Sequence, residues 1–429
     1  MNSTWKRRIV PTLALIAITT MVGGCATSGG DADGPVTLTV WDYGYFADDN
    51  QRGLEAIDAA FEAANLDITI NHIGVPYNTF AGKFNAAIAA QSGPDIVSVY
   101  PGIFAAEFAQ GLTDLSEIVT PELKNEVDFL DISVAPNGKL YAVPFTTYGF
   151  SYFTNKALLA EAGITESPTS WDELIRSCRQ LRAAGIEPIS SGWQDGYLLD
   201  WFFYIFLDML LTDDELGELG AANLPVNSEP FNAAMGLIAE MNDAGCFAEG
   251  GAGRQIVDFQ DQFKQGNAAM VLDIGLPSQL NDYADAIGEE NVDVFAPPMV
   301  PGAALNGPLI DAGPNSGFGI TTWATSTDAA SKYIAFLLSS EAQTIMWELN
   351  DRLPNNNTVP LSSDWETAQK LLDFYQFPEN RTTYLAFPAS VMAEMESRAS
   401  AFMAGTVTGA EITNAMEDVV SKLRPGLQK

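Results

Sequence analysis

Histidine and cysteine are scarce in this chain of 429 residues. It has one histidine, His72, and three cysteines, Cys25, Cys178 and Cys246. A Ser-His-Asp triad could therefore use only His72, which falls within the predicted strand "ITINHIG", and no Cys/His cluster is available for a zinc site. The sequence also lacks a G-x-S-x-G nucleophile elbow and a Walker A loop. These absences argue against an enzyme, and we expect neither a metal nor a cofactor.

Positively charged residues are also few. The chain has 21 Lys and Arg residues against 55 Asp and Glu residues, which gives a net charge of −34. If the basic head that contains Lys6, Arg7 and Arg8 is removed during maturation, the net charge falls from −34 to −37. Such a chain repels nucleic acids and anionic membrane surfaces, so neither is an expected partner.

One mostly apolar run lies near the beginning of the chain, from Ile9 to Val22. That run follows a basic head and is short for a membrane span, which is typical of a signal peptide over residues 1–24. It ends in "MVGGC", which resembles a bacterial lipobox and makes Cys25 the predicted lipidated residue. The polar tether 25–35 favours this interpretation over an ordinary signal peptide with a chance cysteine. Lipidation would anchor the protein to the outer face of the cytoplasmic membrane.

The remaining chain is long for a single core, so we expect two domains. Residues 36–100 alternate between predicted strands and helices, a pattern that indicates an open parallel α/β sheet. Ligands of such sheets bind at the carboxyl ends of the strands. Asp42, Tyr43 and Tyr45 follow the first strand and Tyr100 follows the third, so we expect these four side chains at one mouth.

Cys178 and Cys246 remain after Cys25 is assigned to the anchor. In an extracytoplasmic protein two such cysteines often form a disulfide, although two buried free thiols are the alternative.

Aromatic residues are concentrated in "NGKLYAVPFTTYGFSYFTNKALLAEAGI", residues 137–164. Together with four other segments, it resembles the family 1 extracellular solute-binding proteins, the maltose-binding-like subunits of ABC importers that capture sugars. The resemblance covers nearly the whole chain after Cys25. The other segments, in the family's order, are "PDIVSVYPG", "PTSWDELIRSCRQL", "FKQGNAAMVLDIG" and "SKYIAFLLSSEAQTIMWELNDRLPNN".

The resemblance implies an α/β fold of two lobes that are joined by three hinge crossovers and close on the ligand. The crossovers are expected near Pro144–Gly149, Asp311–Gly317 and Val359–Asp364. The N-terminal lobe then comprises residues 36–144 and 315–361, and the C-terminal lobe residues 145–314 and 362–429.

The resemblance also implies where the ligand binds. Sugars need flat aromatic rings together with polar groups that bond their hydroxyls. For every aromatic candidate, the alternative to ligand contact is a structural role in the core. One departure from the family pattern is that Leu276-Pro277 stands where a sugar-stacking tryptophan is usual. The implied ligand-binding residues are Asp42, Tyr43, Tyr45, Tyr100, Tyr148, Trp193, Asp195, Asp273 and Phe387.

By this resemblance, the protein is expected to be a monomeric substrate-binding protein that captures a sugar or oligosaccharide and delivers it to an ABC permease. The first alternative is a polyol or another small polar solute as ligand. The second is a secreted glycoside hydrolase, which needs two carboxylates around the scissile bond. Because acidic residues are abundant, such pairs arise by chance, and their presence in the sequence decides nothing.

Overall fold

A computed structural model describes residues 34–46 and 50–428. The predicted signal peptide, the lipidation residue Cys25 and nearly all of the tether lie outside the described residues. Within the described residues, no helix is both long enough and apolar enough to span a bilayer. The strands are β1 (Val36–Asp42), β2 (Ile68–Gly74), β3 (Ile96–Ser98), β4 (Val143–Pro144), β5 (Thr146–Asn155), β6 (Glu187–Ser190), β7 (Ala268–Ile274), β8 (Val292–Phe295), β9 (Ala312–Pro314), β10 (Gly317–Ile320) and β11 (Leu353–Pro354).

The helices surround these strands, and several of them follow a strand directly in the chain. They are α1 (Gln51–Ala64), α2 (Tyr77–Ala90), α3 (Ile103–Ala106), α4 (Pro121–Glu126), α5 (Lys156–Glu161), α6 (Trp171–Ala183), α7 (Tyr197–Leu210), α8 (Asp213–Gly220), α9 (Glu229–Asp243), α10 (Ile256–Lys264), α11 (Pro277–Ile287), α12 (Thr327–Leu337), α13 (Ser340–Asn350), α14 (Glu366–Phe374), α15 (Ala389–Glu396), α16 (Ala399–Met403) and α17 (Gly409–Leu427).

The first sheet has the order β2-β1-β3-β10-β4. Strand β1 is parallel to both β2 and β3, and β10 runs antiparallel to its two neighbours. Leu38 and Val40 of β1 are fully buried, as the alternation of the strand requires. We call this sheet and the helices packed on it the first lobe.

The second sheet has the order β11-β5-β7-β6, with β8 and β9 also paired to β5. Every residue of the long strand β5 is buried, because strands and helices cover it on all sides. Cys178 of α6 and Cys246, which follows α9, form a disulfide with a Cα–Cα distance of 4.8 Å. This sheet and its helices form the second lobe, and the architecture is the predicted α/β class with two sheets.

The chain crosses between the two sheets at closely spaced points. Only Phe145 separates β4 of the first sheet from β5 of the second, and residues 315–316 separate β9 from β10. The two crossings are hydrogen-bonded to each other, since the Phe145 amide donates to Ser316 O (2.9 Å) and the Asn315 amide to Thr146 O (2.6 Å).

Strand β11 departs from the expected lobe boundaries. Residues 353–354 were expected in the N-terminal lobe, but they pair with β5 of the second sheet. The residues directly after them return to the first lobe, where the Asn357 amide donates to Glu126 O. Strand β5 has ten residues, so it pairs with β11 near its start and with β7 near its end. This pairing places residues 353–354 in the second sheet.

Candidate functional site

A cavity of about 390 Å³ lies between the two lobes, at the carboxyl ends of β1 and β3. Its walls come from both sheets, from the crossings and from helices α7 and α15. Its size is within the ordinary range for small-molecule sites. The lining residues are Tyr43, Gly44, Asn50, Tyr77, Tyr100, Phe104, Tyr148, Tyr197, Asp200, Trp201, Tyr204, Ile256, Ile274, Asn315, Ser316, Tyr384, Met392 and Glu396.

The first lobe contributes a group of tyrosines to the cavity. Tyr43 and Tyr100 follow β1 and β3, and Tyr77 begins α2. The Tyr43 ring centroid lies 5.5 Å from those of both Tyr77 and Tyr100. Adjacent parallel strands end at the same sheet edge, which is why residues far apart in sequence meet here.

Helix α7 forms the opposite wall. Tyr197, Asp200, Trp201 and Tyr204 follow the i, i+3, i+4, i+7 spacing of one helical face, and all four line the cavity. The helix is apolar almost all around, so its other faces are buried in the second lobe. The two lobes approach each other through aromatic rings, with 6.2 Å between the centroids of Tyr77 and Tyr197.

The crossings contribute a third wall. Tyr148 of β5 lies 5.5 Å from Tyr384, and Tyr384 lies 5.6 Å from Tyr100 of the first lobe, measured between ring centroids. Asn315 and Ser316 of the second crossing add an amide and a hydroxyl. Aromatic faces and hydrogen-bonding groups are therefore combined in one space.

Two carboxyl groups, Asp200 of α7 and Glu396 at the end of α15, meet at the second-lobe wall. Burial, and then the charge of Glu396, raise the pKa of Asp200 well above its usual range. Burial also raises the pKa of Glu396, against the lowering effect of its hydrogen bond to Asp200. Two carboxyls in contact cannot both ionise readily, so the pair gives up its second proton at a higher pH than two separate carboxyls would.

Gly196 allows the end of α15, and with it Glu396, to approach the start of α7 closely. It adopts a left-handed backbone conformation (φ +84°), and a Cβ atom there would lie 2.5 Å from Glu396 Cα. Glycine is thus required both by the backbone conformation and by the close approach of α15 to the start of α7.

Three residues predicted for the site line the cavity, namely Tyr43, Tyr100 and Tyr148. Their contact with a ligand stays a prediction. Two further candidates lie just behind Tyr43. Asp42 accepts a hydrogen bond from the Gly44 amide (2.7 Å) and also contacts His72, while the Tyr45 ring stacks on His72 at 4.3 Å.

Asp195 lies next to the cavity but does not line it. Its Oδ2 accepts a hydrogen bond from the amide of Ile256, which does line the cavity, at 2.7 Å. The carboxylate therefore orients the start of α10.

The structure places the remaining three candidates in the core of the second lobe. Trp193 is 2% exposed and packs edge-on against Phe247, and Phe387 is buried between α7 and α9. Asp273 is buried and accepts hydrogen bonds from Tyr283 and from Gln260 Nε2 (2.9 Å). Because their side chains are occupied by these contacts, we do not carry them into the proposed site.

Sequence reasoning missed most of the second-lobe wall. The candidates from the sequence include no residue of α7 or α15, so Asp200, Trp201, Tyr204 and Glu396 were not among them. One signal was available, because an aspartate in the apolar helix "YLLDWFFYIFLDML" is costly to bury and marks a special position.

Within the described residues, no lysine, arginine or histidine lines this cavity, and no group of three His, Cys, Asp or Glu side chains could hold a metal ion. The cavity is suited to holding a molecule by ring stacking and hydrogen bonds.

Comparison with known proteins gives one family match. The sequence profile described as "Bacterial extracellular solute-binding protein" matches residues 47–344. A binding protein of Brucella abortus is 27% identical over 278 residues, which is 62% of this chain and 62% of that protein. The diacetylchitobiose binding protein DasA of Streptomyces coelicolor is 28% identical over 212 residues, covering 45% of this chain and 47% of DasA. The chain thus matches less than two thirds of the length of these relatives.

Solved structures are similar over a larger part of the chain. A chitin oligosaccharide binding protein superposes with a TM-score of 0.79, covering 91% of this chain and 99% of the other at 20% sequence identity. This likeness concerns the fold, which is the two-lobed α/β arrangement.

Proposed function

The chain belongs to the bacterial extracellular solute-binding proteins, and from that premise we propose that it captures a sugar or oligosaccharide between its lobes. The observation that carries this proposal is the cavity itself, which combines several tyrosine rings with carboxyl, amide and hydroxyl groups. Aromatic faces match the CH faces of a sugar ring, and the polar groups match its hydroxyls. The binding of sugars by similar proteins supports the same conclusion.

After binding, the protein would deliver its ligand to a membrane permease that is driven by a cytoplasmic ATPase. This part of the proposal follows from the resemblance to ABC importer subunits. We further propose that the protein is an extracytoplasmic monomer that is anchored through lipidated Cys25 after removal of residues 1–24.

We propose binding without catalysis. A glycosidase holds its two carboxyl groups roughly 5 Å or more apart, so that the scissile bond fits between them. The carboxyls of Asp200 and Glu396 instead share a hydrogen bond, which leaves no room for a substrate between them.

The first experiment is a thermal-shift screen of the chain from Ala26 against saccharides, polyols and amino acids. A ligand of the folded state raises the melting temperature with increasing concentration. A rise with saccharides would support the proposal. A rise with polyols or amino acids alone would indicate that the ligand is another solute and not a carbohydrate. Hydrolysis of a glycoside would support the alternative that the protein is a glycoside hydrolase.

The cavity can be tested with a pair of aromatic variants. Tyr100→Ala should weaken binding of the identified saccharide about tenfold, because it removes a ring from the wall. Phe46→Ala removes an exposed ring that does not line the cavity, and it should leave the affinity unchanged. Equal affinities for both variants and the wild type, measured by calorimetry, would place the ligand elsewhere.

A further inference from the structure

The carboxyl pair in the cavity wall is only partly satisfied by the protein. Asp200 is 4% exposed, and apart from the hydrogen bond that it shares with Glu396, its Oδ1 has no N–H or hydroxyl donor among the described residues. Its charged neighbour is Glu396, which is held against the start of α7 by the close contact at Gly196. A buried carboxyl whose one hydrogen-bonding partner is another carboxyl is costly, and a ligand that supplies further donors would lower that cost.

The groups around this pair do not neutralise it. Asp195 adds a third carboxyl within electrostatic range, and the other titratable neighbours are the hydroxyls of Tyr77, Tyr197 and Tyr204. No cationic side chain of the described residues lines the cavity. The local field therefore favours a positive charge at this wall.

The aromatic side chains of the cavity also favour a positively charged group on the ligand. Tyr197, Trp201 and Tyr204 lie on the α7 face that carries Asp200, and Tyr77 faces them from the first lobe. The faces of such rings attract cations, most strongly where water is excluded.

We propose that the captured saccharide carries a protonated amine, which binds between the Asp200–Glu396 pair and the surrounding aromatic rings. The preferred ligand class is then a basic amino sugar, whereas N-acetylated and neutral sugars lack the positive charge. This inference rests on the proposed function and specifies its ligand.

An ammonium group fits this wall for two reasons. It brings three N–H donors, one of which can satisfy Asp200 Oδ1, and its charge favours ionisation of both carboxyls. At a pH where the free pair still holds a proton, binding of the amine releases it. Affinity for the amine should therefore increase as the pH rises above 4.5, the ordinary pKa of a glutamate, until the amine itself loses its proton.

The test is calorimetric titration of the mature protein with a glucosamine disaccharide, its di-N-acetylated counterpart and a neutral glucose disaccharide. We expect the amine to bind roughly tenfold more tightly than either of the others, with proton release that appears as a buffer-dependent enthalpy. Equal or tighter binding of the N-acetylated or neutral sugar would overturn the inference and leave the proposed function intact. Failure of every saccharide in this titration and in the thermal-shift screen would overturn both.

A variant pair localises the effect. Glu396→Gln keeps the size of the side chain but removes its charge, so it should reduce the preference for the amine, measured as the ratio of its affinity to that of the neutral disaccharide. Glu348→Gln, an exposed position on α13, provides the same chemical change away from the cavity and should retain the preference. An undiminished preference in Glu396→Gln would contradict the assignment, and thermal melts of both variants would verify that they are folded.

Discussion

His72 lies between two carboxylates on the outer side of the site. Its ring nitrogens contact Asp58 (3.0 Å) and Asp42 (3.3 Å), and Tyr333 donates a hydrogen bond to Asp58. Burial alone would lower the pKa of His72, but the hydrogen bonds to Asp42 and Asp58 outweigh it and raise the pKa to about 9. The one histidine of the chain is therefore a structural cation at neutral pH, beneath the loop that carries Tyr43.

This ion pair makes stability dependent on pH. A histidine whose pKa is raised from 6.5 to about 9 by folding stabilises the folded state fully below pH 6.5 and loses that effect as the pH rises through 9. We expect His72→Gln to lower the free energy of unfolding by on the order of 3 kcal/mol at pH 6, and by much less at pH 10. Urea unfolding of both proteins across this range measures the difference, and a difference that does not vary with pH would contradict the prediction.

Trp193 gives a second prediction at the residue scale. Its ring is buried against Phe247, so Trp193→Ala should lower the free energy of unfolding by roughly 3–5 kcal/mol. Trp193→Phe fills most of the space and should retain full affinity for the ligand, because the ring does not line the cavity. A large loss of affinity in a well-folded Trp193→Phe protein would indicate that Trp193 contacts the ligand.

At the scale of elements, the start of α7 determines the geometry of the second-lobe wall. Gly196→Ala introduces a Cβ atom at a positive φ and against the backbone of Glu396, so it should cost roughly 1–3 kcal/mol of stability and displace the carboxyl. Gly236→Ala, within α9 and with open space at its Cβ position, should instead stabilise the protein by about 0.5–1 kcal/mol. Chemical denaturation of the two variants provides the comparison, and a stabilised Gly196→Ala protein would refute the packing argument.

Whether a site residue could be predicted from the sequence depended on the element that carries it. Tyr43 and Tyr100 were found because they follow strands whose pattern is readable, and Tyr148 because Pro144 and Gly149 mark a crossing. Helix α7 was not interpretable in this way, since it is apolar on nearly every face. Only packing against the second sheet decides which of its faces remains open to the cavity.

At the scale of the whole molecule, the two lobes meet across the cavity through Tyr77–Tyr197 and Tyr100–Tyr384. The family match and the similar solved structures confirm the resemblance that was inferred from the order of five segments. Two-lobed binding proteins close by hinge motion about their crossings.

We therefore expect the saccharide to decrease the radius of gyration in solution, because a ligand that contacts both lobes favours the closed arrangement. Small-angle X-ray scattering with and without the ligand measures this change. Tyr100→Ala should need a higher ligand concentration for the same decrease. An unchanged radius at saturation, established by calorimetry, would show that binding does not require closure.

The sequence by itself determined the α/β class, the position of several strand ends and the family, because these depend on local periodicity and on the order of segments along the chain. The tertiary structure alone decided the composition of the second-lobe wall. Asp200 and Glu396 are separated by nearly half of the chain, and they meet because α7 and α15 pack closely at Gly196. It also decided that Trp193, in a glycine-bounded loop, turns into the core, since burial of a large ring depends on the space that neighbouring elements leave.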